Sequence, residues 1–188
     1  IATGGFDQNF CAANTVMSLD LVTKRYTALA PMITARVGHA TAAVDGKIFV
    51  MGAENGAGAS LSSVECLDLE TGQRSAMAPM ITPRSEHGAA VLGGKIFVAC
   101  GYDGHAHQTL VESFDAATNQ WTAVAPMNTP RFDHSVVSAQ GKLFAVGGRN
   151  QYGLLSSVEC FDPSTRVWSN IAALSTARDC LAVAVLGD

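Results

Sequence analysis

The chain has 188 residues, 48% of them hydrophobic, which suits one compact domain with a real core. Charged residues make up 15%, and 12 basic against 16 acidic residues leave a net charge of −4, which argues against nucleic acid as a partner because phosphate binding needs a basic surplus. The longest apolar run, Cys180 to Leu186, is far shorter than the roughly 18 residues of a membrane span, and no signal or lipidation motif is visible, so no membrane partner is expected.

In chain order, Ile1–Gly5 reads as a strand that ends on a glycine pair, followed by an irregular loop over Phe6–Asn14. Asp20 then opens an Asp-x-x-Thr turn in which the carboxylate accepts backbone N–H bonds two or three residues on. Pro31 marks where strand pairing stops, and Arg36 follows. The same series returns three more times. Asp45-Gly46, Gly93-Gly94 and Gln140-Gly141 each have the chemistry of a tight hairpin with positive φ. The clearest unit carries strand a at about His134–Ala139, b at Lys142–Gly148, c at Ser157–Asp162 and d at Val167–Ile171. A last apolar run, Leu181–Leu186, has the phase of a strand a.

The repetition is arithmetical. Arg36, Arg84, Arg131 and Arg178 are spaced by 48, 47 and 47 residues, and Asp20, Asp68, Asp115 and Asp162 keep the same spacings. Glycine-rich steps recur at Gly4-Gly5, Gly52-Ala53, Cys100-Gly101 and Gly147-Gly148. A lone four-stranded sheet cannot bury two apolar faces, so successive units must stack face to face, and radial stacking gives a propeller. The units are about 1–35 joined with 179–188, then 36–83, 84–130 and 131–178, and together they make one domain over 1–188.

With the glycine pair, the Val-Glu-Cys-Phe-Asp-Pro run at 158–163, Trp168 and the Pro-Met-x-x-x-Arg step in place, the chain resembles the kelch repeat, whose period is about 50 residues. The run Leu110-Val111-Glu112-Ser113-Phe114-Asp115 and Trp121 is most similar to the kelch-like subclass of ubiquitin-ligase adaptors. Departures are Arg74 in place of the strand-d aromatic, Ala53 and Cys100 in the glycine pairs, and Leu181 where His39, His87 and His134 stand in the other units. The fold expected is an all-β propeller of four kelch repeats. It is either a closed four-bladed ring, with Leu181–Leu186 paired to Ile1–Gly5, or an arc of the six-bladed ring usual in the family. The arc is preferred, because the chain opens at Ile1 within an apolar stretch and without Met, as a piece of a longer protein would.

The residues of possible chemistry do not assemble a catalyst. His105 and His107 have no third ligand at useful spacing, Gly56-Ala57-Gly58 lacks the helix onset of a phosphate loop, and Tyr26, Tyr102 and Tyr152 are too scattered for a copper-oxidase centre. The five cysteines form no Cys-x-x-Cys pair, so no metal and no cofactor are expected, and a reduced, cytoplasmic setting is. Arg36, Arg84, Arg131 and Arg178 recur in every unit and are read as structural, tying loops to carbonyls or to Glu65, Glu112 and Glu159. Asp20, Asp68, Asp115 and Asp162 are read as turn formers, and Trp121 and Trp168 as packing between units.

Recognition is then expected on the side of the disc that carries the irregular b–c and d–a loops. The candidates there are Ser85, Glu86, Tyr102, Asp103, His105, Phe132, Asp133, Arg149, Asn150, Tyr152 and Asp179. Asp7, Glu54, Glu86, Asp103, Asp133 and Asp179 face Arg149 alone, so this side is expected to be acidic, while Lys47, Lys95 and Lys142 lie on the other side. The function expected is non-catalytic binding of a protein or short peptide. The resemblance implies substrate recognition for a cullin-type ubiquitin ligase through a BTB domain absent from this chain. An actin-linked scaffold is the alternative, and a propeller enzyme comes third.

Overall fold

The computed structural model describes residues 1–186; residues 187 and 188, assigned above to the first unit, lie outside the described residues. The described chain is all β. The first sheet has three strands, β1 (Ala2–Thr3), β2 (Val16–Leu19) and β3 (Tyr26–Ala28). The second has four, β4 (Ala40–Val44), β5 (Lys47–Met51), β6 (Val64–Asp68) and β7 (Arg74–Met77). The third repeats them as β8 (Gly88–Leu92), β9 (Lys95–Ala99), β10 (Val111–Asp115) and β11 (Gln120–Val124). In the fourth, β12 (Ser135–Ala139) and β13 (Lys142–Val146) precede a two-stranded ribbon, β14 (Arg149–Asn150) and β15 (Gly153–Leu154), before β16 (Val158–Asp162) and β17 (Val167–Ile171) complete the sheet.

Turn chemistry sets the register. Asp45-Gly46, Gly93-Gly94 and Gln140-Gly141 all have positive φ, which matches the right-handed twist of the strands they join. In the c–d turns Asp20, Asp68, Asp115 and Asp162 accept the N–H of the residue two further on, as in Asp68 to Glu70 at 3.0 Å. The residue after the turn threonine is left-handed in all four units, including Lys24 and Arg166, which have no glycine-like freedom. There the local carboxylate bonds outweigh the strain of a side chain at positive φ.

The core lies between sheets. Phe49 meets Phe114 edge-on at 5.7 Å across one junction, and Phe97 meets Phe161 at 6.2 Å across the next. The indole N–H of Trp121 donates to the Ala78 carbonyl of the preceding sheet at 2.9 Å, and that of Trp168 to Ala125 at 3.0 Å. Arg74 holds the same phase with different chemistry. Its guanidinium donates to the Ala30 carbonyl at 2.7 Å, so the inter-sheet hydrogen bond survives the loss of the aromatic ring. Tyr26, the corresponding residue of the first sheet, is exposed because no described sheet precedes it.

The closing pair of a four-bladed ring is not formed among the described residues. Residues 181–186 contain no strand, and β1 pairs with β2 alone. In the other units strand a is held by the strand b to which a tight turn joins it, and residues 181–186 have no such partner within the described chain.

Trp168 is only 4% exposed between the third and fourth sheets. Replacing it by Ala is expected to cost about 3–5 kcal/mol, and by Phe, which keeps the ring but drops the N–H, about 1–2 kcal/mol. Urea unfolding followed by Trp121 fluorescence measures both, and equal costs would show that the hydrogen bond carries the contact.

Candidate functional site

Each of the first three d–a loops is fixed by one buried carboxylate of the following sheet. Glu159 accepts from the backbone N–H of Asn128 and Thr129 at 2.8 and 3.1 Å and pairs with Arg131 at 2.8 Å. Glu65 does the same for Ile33, Thr34 and Arg36, and Glu112 for Ile81, Thr82 and Arg84. The guanidinium of each arginine also donates to carbonyls where strand b ends and strand c begins, as Arg131 does to Gly147 and Ser157. Desolvating an ion pair is unfavourable unless its remaining valences are satisfied. Here the carboxylates and the terminal guanidinium nitrogens are hydrogen-bonded, while Nε of Arg84 and Arg131 is buried without a partner among the described residues, so the pairs fix loop position rather than add net stability. Arg178 departs from the series: it is exposed, and among the described residues its side chain makes no such bond and no sheet supplies it with a glutamate.

Two residues beyond each arginine the chain turns left-handed, at Gly38, Glu86, Asp133 and Cys180. These residues link to one another across the sheets. Glu86 N–H donates to the Gly38 carbonyl at 2.7 Å, Asp133 to Glu86 at 3.0 Å and Cys180 to Asp133 at 2.9 Å. The inner strands β4, β8 and β12 pack side by side beneath this girdle. Sequence reasoning missed it; the available signal was a turn-compatible residue recurring two places after the arginine and just before the histidine phase.

The b–c loops bridge to the d–a loops, Glu54 to Val37, Tyr102 to Ser85 and Arg149 to Phe132, which puts both loop sets on one side. Ser85 and Phe132 are buried there and support the face from beneath. His107 stacks on Phe132 at 4.4 Å and Arg149 covers the same ring at 4.6 Å. Asp103 is committed to its own loop, accepting from the N–H of His105 and Ala106, and Asn150 likewise accepts from Tyr152 N–H at 2.9 Å. His105 is exposed, and Tyr152 is 88% exposed.

Arg149 is not a free cation. Its Nε lies 3.6 Å from Asp133 and 3.4 Å from Asp179, so part of the acidity expected on this side is balanced internally. Burial pushes the carboxyls of Glu86 and Asp133 above their usual range, with neighbouring carboxylates adding to the effect. Asp133, Asp179 and Cys180 bring potential ligand atoms within 4.8 Å of one another, the one such cluster among the described residues. Sequence reasoning did not single out Phe6 and Phe10, exposed beside Val37 and Glu54 in a cleft of about 390 Å³. On the opposite side Lys47, Lys95 and Lys142 pair with Asp68, Asp115 and Asp162 at 3.1, 3.1 and 2.8 Å. The bonds from Thr71 N–H and Lys47 hold the Asp68 carboxyl down to about 2.

Comparison with known families matches residues 1–188 to the KLHDC2/KLHL20/DRC7 Kelch-repeats domain. The chain belongs to this kelch-repeat family. Among solved structures, one titled "Structure of YjhT" superposes with a TM-score of 0.76 at 19% identity, over 94% of this chain and 66% of that one. The kelch chain thus spans 66% of that protein's length, and the likeness is one of fold. No curated protein matches the sequence.

The kelch histidines supply a test of how the inner strands are packed. His87 and His134 are 6% and 7% exposed, and among the described residues neither ring nitrogen of either has a hydrogen-bond partner. Burial, with Arg131 and Arg84 adding repulsion, pushes His134 down to about 3 from an ordinary 6.5. The unfolded chain therefore takes up the proton first. Stability is full above pH 6.5 and falls as the pH drops toward 3, while the raised carboxyls of Glu86 and Asp133 act in the opposite sense. Urea melts between pH 7.5 and 4.5 are expected to lose stability on acidification, and His134→Leu, the residue found in this phase at Leu181, is expected to flatten the slope. An unchanged slope would remove His134 from the account.

Proposed function

We propose that this kelch domain is a non-catalytic recognition module that binds a protein or short peptide on the side formed by the b–c and d–a loops. One observation carries the reading. The glutamates, three of the arginines and the turn aspartates that repeat from unit to unit are consumed in internal bonds. What the loop side presents is the set that differs between units, including Phe6, Phe10, Glu54, Glu86 and Tyr152. Kelch domains generally bind proteins, and a scaffold with fixed loops and variable loop chemistry suits that role. In this reading the four sheets are an arc of a larger ring, the protein is cytoplasmic, and the wider context is substrate capture for a cullin-type ligase through a BTB domain.

Affinity capture with the full-length protein identifies a partner, and titration of point variants then tests the face. Tyr152→Ala and Phe6→Ala are expected to change stability by no more than about 0.5 kcal/mol while weakening the partner by about 1 kcal/mol or more. Neutral effects there, with loss of binding on replacing Lys47, Lys95 and Lys142, would move the site to the opposite side of the disc.

A further inference from the structure

Away from the irregular loops, where the a–b and c–d turns emerge, a recess of about 240 Å³ opens between the third and fourth sheets. Its walls are Val124 and the rings of Phe97 and Phe161, whose centroids stand 6.2 Å apart with the planes tilted at 47°. Phe97 is only half-buried, although Phe49, in the same position one unit earlier, is 1% exposed. Ring surface that one junction covers is thus left open at the next. Phe97, Ser113 and Thr122 stand side by side across the third sheet, and Lys95 lies two residues before Phe97 on the same strand. All four therefore share the sheet face turned to the recess.

Two polar features separate this recess from a packing gap. Ser113 is 8% exposed and lines it, yet its hydroxyl makes no hydrogen bond among the described residues. The neighbouring units carry Cys66 and Cys160 in that position, and a buried hydroxyl, unlike a thiol, ordinarily has a partner. At the mouth are Lys95 and Arg166. Lys95 pairs with Asp115 at 3.1 Å and keeps its side chain 51% exposed, and the exposed Arg166 has no carboxylate within ion-pair distance among the described residues. The mouth thus holds two cations against one carboxylate, on a chain whose net charge is −4. The recess one junction earlier lacks this surplus: Asp45 stands beside Lys47, and the turn that borders it contributes Ala116 and Ala117.

We propose that this recess binds a small aromatic carboxylate, with its ring against Phe97 and Phe161 and its acid group at Arg166 and Ser113. Edge-to-face contact with the two phenyl rings suits a flat ring. The planar guanidinium can meet a carboxylate with two parallel bonds, and the Ser113 hydroxyl, one row inside Lys95, can donate to the same group. An organic cation would be repelled at the mouth, an inorganic anion would leave the rings uncovered, and a neutral apolar molecule would leave Ser113 unpaired. The volume holds one ring with a short acid arm and is too small for a long acyl chain or a folded element. The site lies across the disc from the recognition face proposed above and does not depend on it.

Phenylacetate and phenylacetamide, nearly equal in shape but different in charge, provide the test when titrated into the chain with backbone amide resonances followed by NMR. Phenylacetate is expected to shift Ser113, Thr122 and Arg166 saturably in the millimolar range, while phenylacetamide leaves them in place and Ser75 and Ala117 of the preceding junction do not move. Arg166→Asn installs the residue that Asn119 supplies one unit earlier in the same left-handed conformation, so the turn is kept. It should weaken phenylacetate at least fivefold, and Ser113→Ala, which removes only the hydroxyl, about threefold. Equal response to acid and amide, shifts at both junctions, no response, or binding indifferent to both substitutions would each overturn the proposal. Tighter binding of the peptide acetyl-Asp-Phe-amide than of phenylacetate would assign the recess to a partner chain and overturn it as well.

Discussion

The structure depends on a carboxylate buried at each junction between sheets. Glu65, Glu112 and Glu159 are almost wholly enclosed, and each ties down two backbone N–H groups and an arginine that arrive from the preceding unit. Apolar packing between sheets would tolerate small rotations, since hydrophobic attraction has no direction. A carboxylate that must satisfy several fixed donors does not tolerate them. The contact also leaves a polar group stranded if the sheets slip, and that penalty of an unpaired buried charge exceeds any gain from the pair itself. Direction, rather than net attraction, is what the junction contributes.

From this follows the division of labour across the disc. Residues that recur with the period are engaged within the frame: the arginines that end the d–a loops at Arg36, Arg84 and Arg131, the turn aspartates paired with lysines on the surface of the opposite side, and the indole donors of strand d. Residues that break the period collect on the loop side. Gly38, Glu86, Asp133 and Cys180 share one backbone conformation and one chain of hydrogen bonds, yet carry four different side chains. A girdle of constant geometry with changeable chemistry is how a repeat fold acquires a binding specificity without altering its frame.

Much of the frame was legible because its signals are local or periodic. The span Val167–Ile171 and the hairpins at Asp45-Gly46, Gly93-Gly94 and Gln140-Gly141 follow from turn residues and alternation. The arginine–glutamate pairing could be read from phase alone, as both residues recur in step. Strand b of the fourth sheet ends at Val146 rather than Gly148 because the glycine pair leaves the ladder to bond the neighbouring loop, Gly148 N–H to the Arg178 carbonyl at 2.8 Å. The roles of Arg178 and Tyr26 were not legible, since phase gives the position of a side chain and not whether a neighbouring sheet is there to receive it. The same limit applies to Leu181–Leu186, which has strand composition but no paired partner among the described residues. The girdle and the engagement of Arg149 were hidden for another reason. They join residues far apart in the chain through conformation and loop path, and composition records neither.

The most direct test of the buried junction is a double-mutant cycle on Arg131 and Glu159, both fully enclosed, using Arg131→Leu, Glu159→Leu and the pair, measured by urea unfolding. Glu159→Leu should be the costlier single change, at about 3–5 kcal/mol, because it also orphans the N–H groups of Asn128 and Thr129. The two changes together should cost less than their sum by about 2 kcal/mol or more. Costs that add to within about 0.5 kcal/mol would mean that the two side chains act independently, and the junction would then owe its geometry to apolar packing alone.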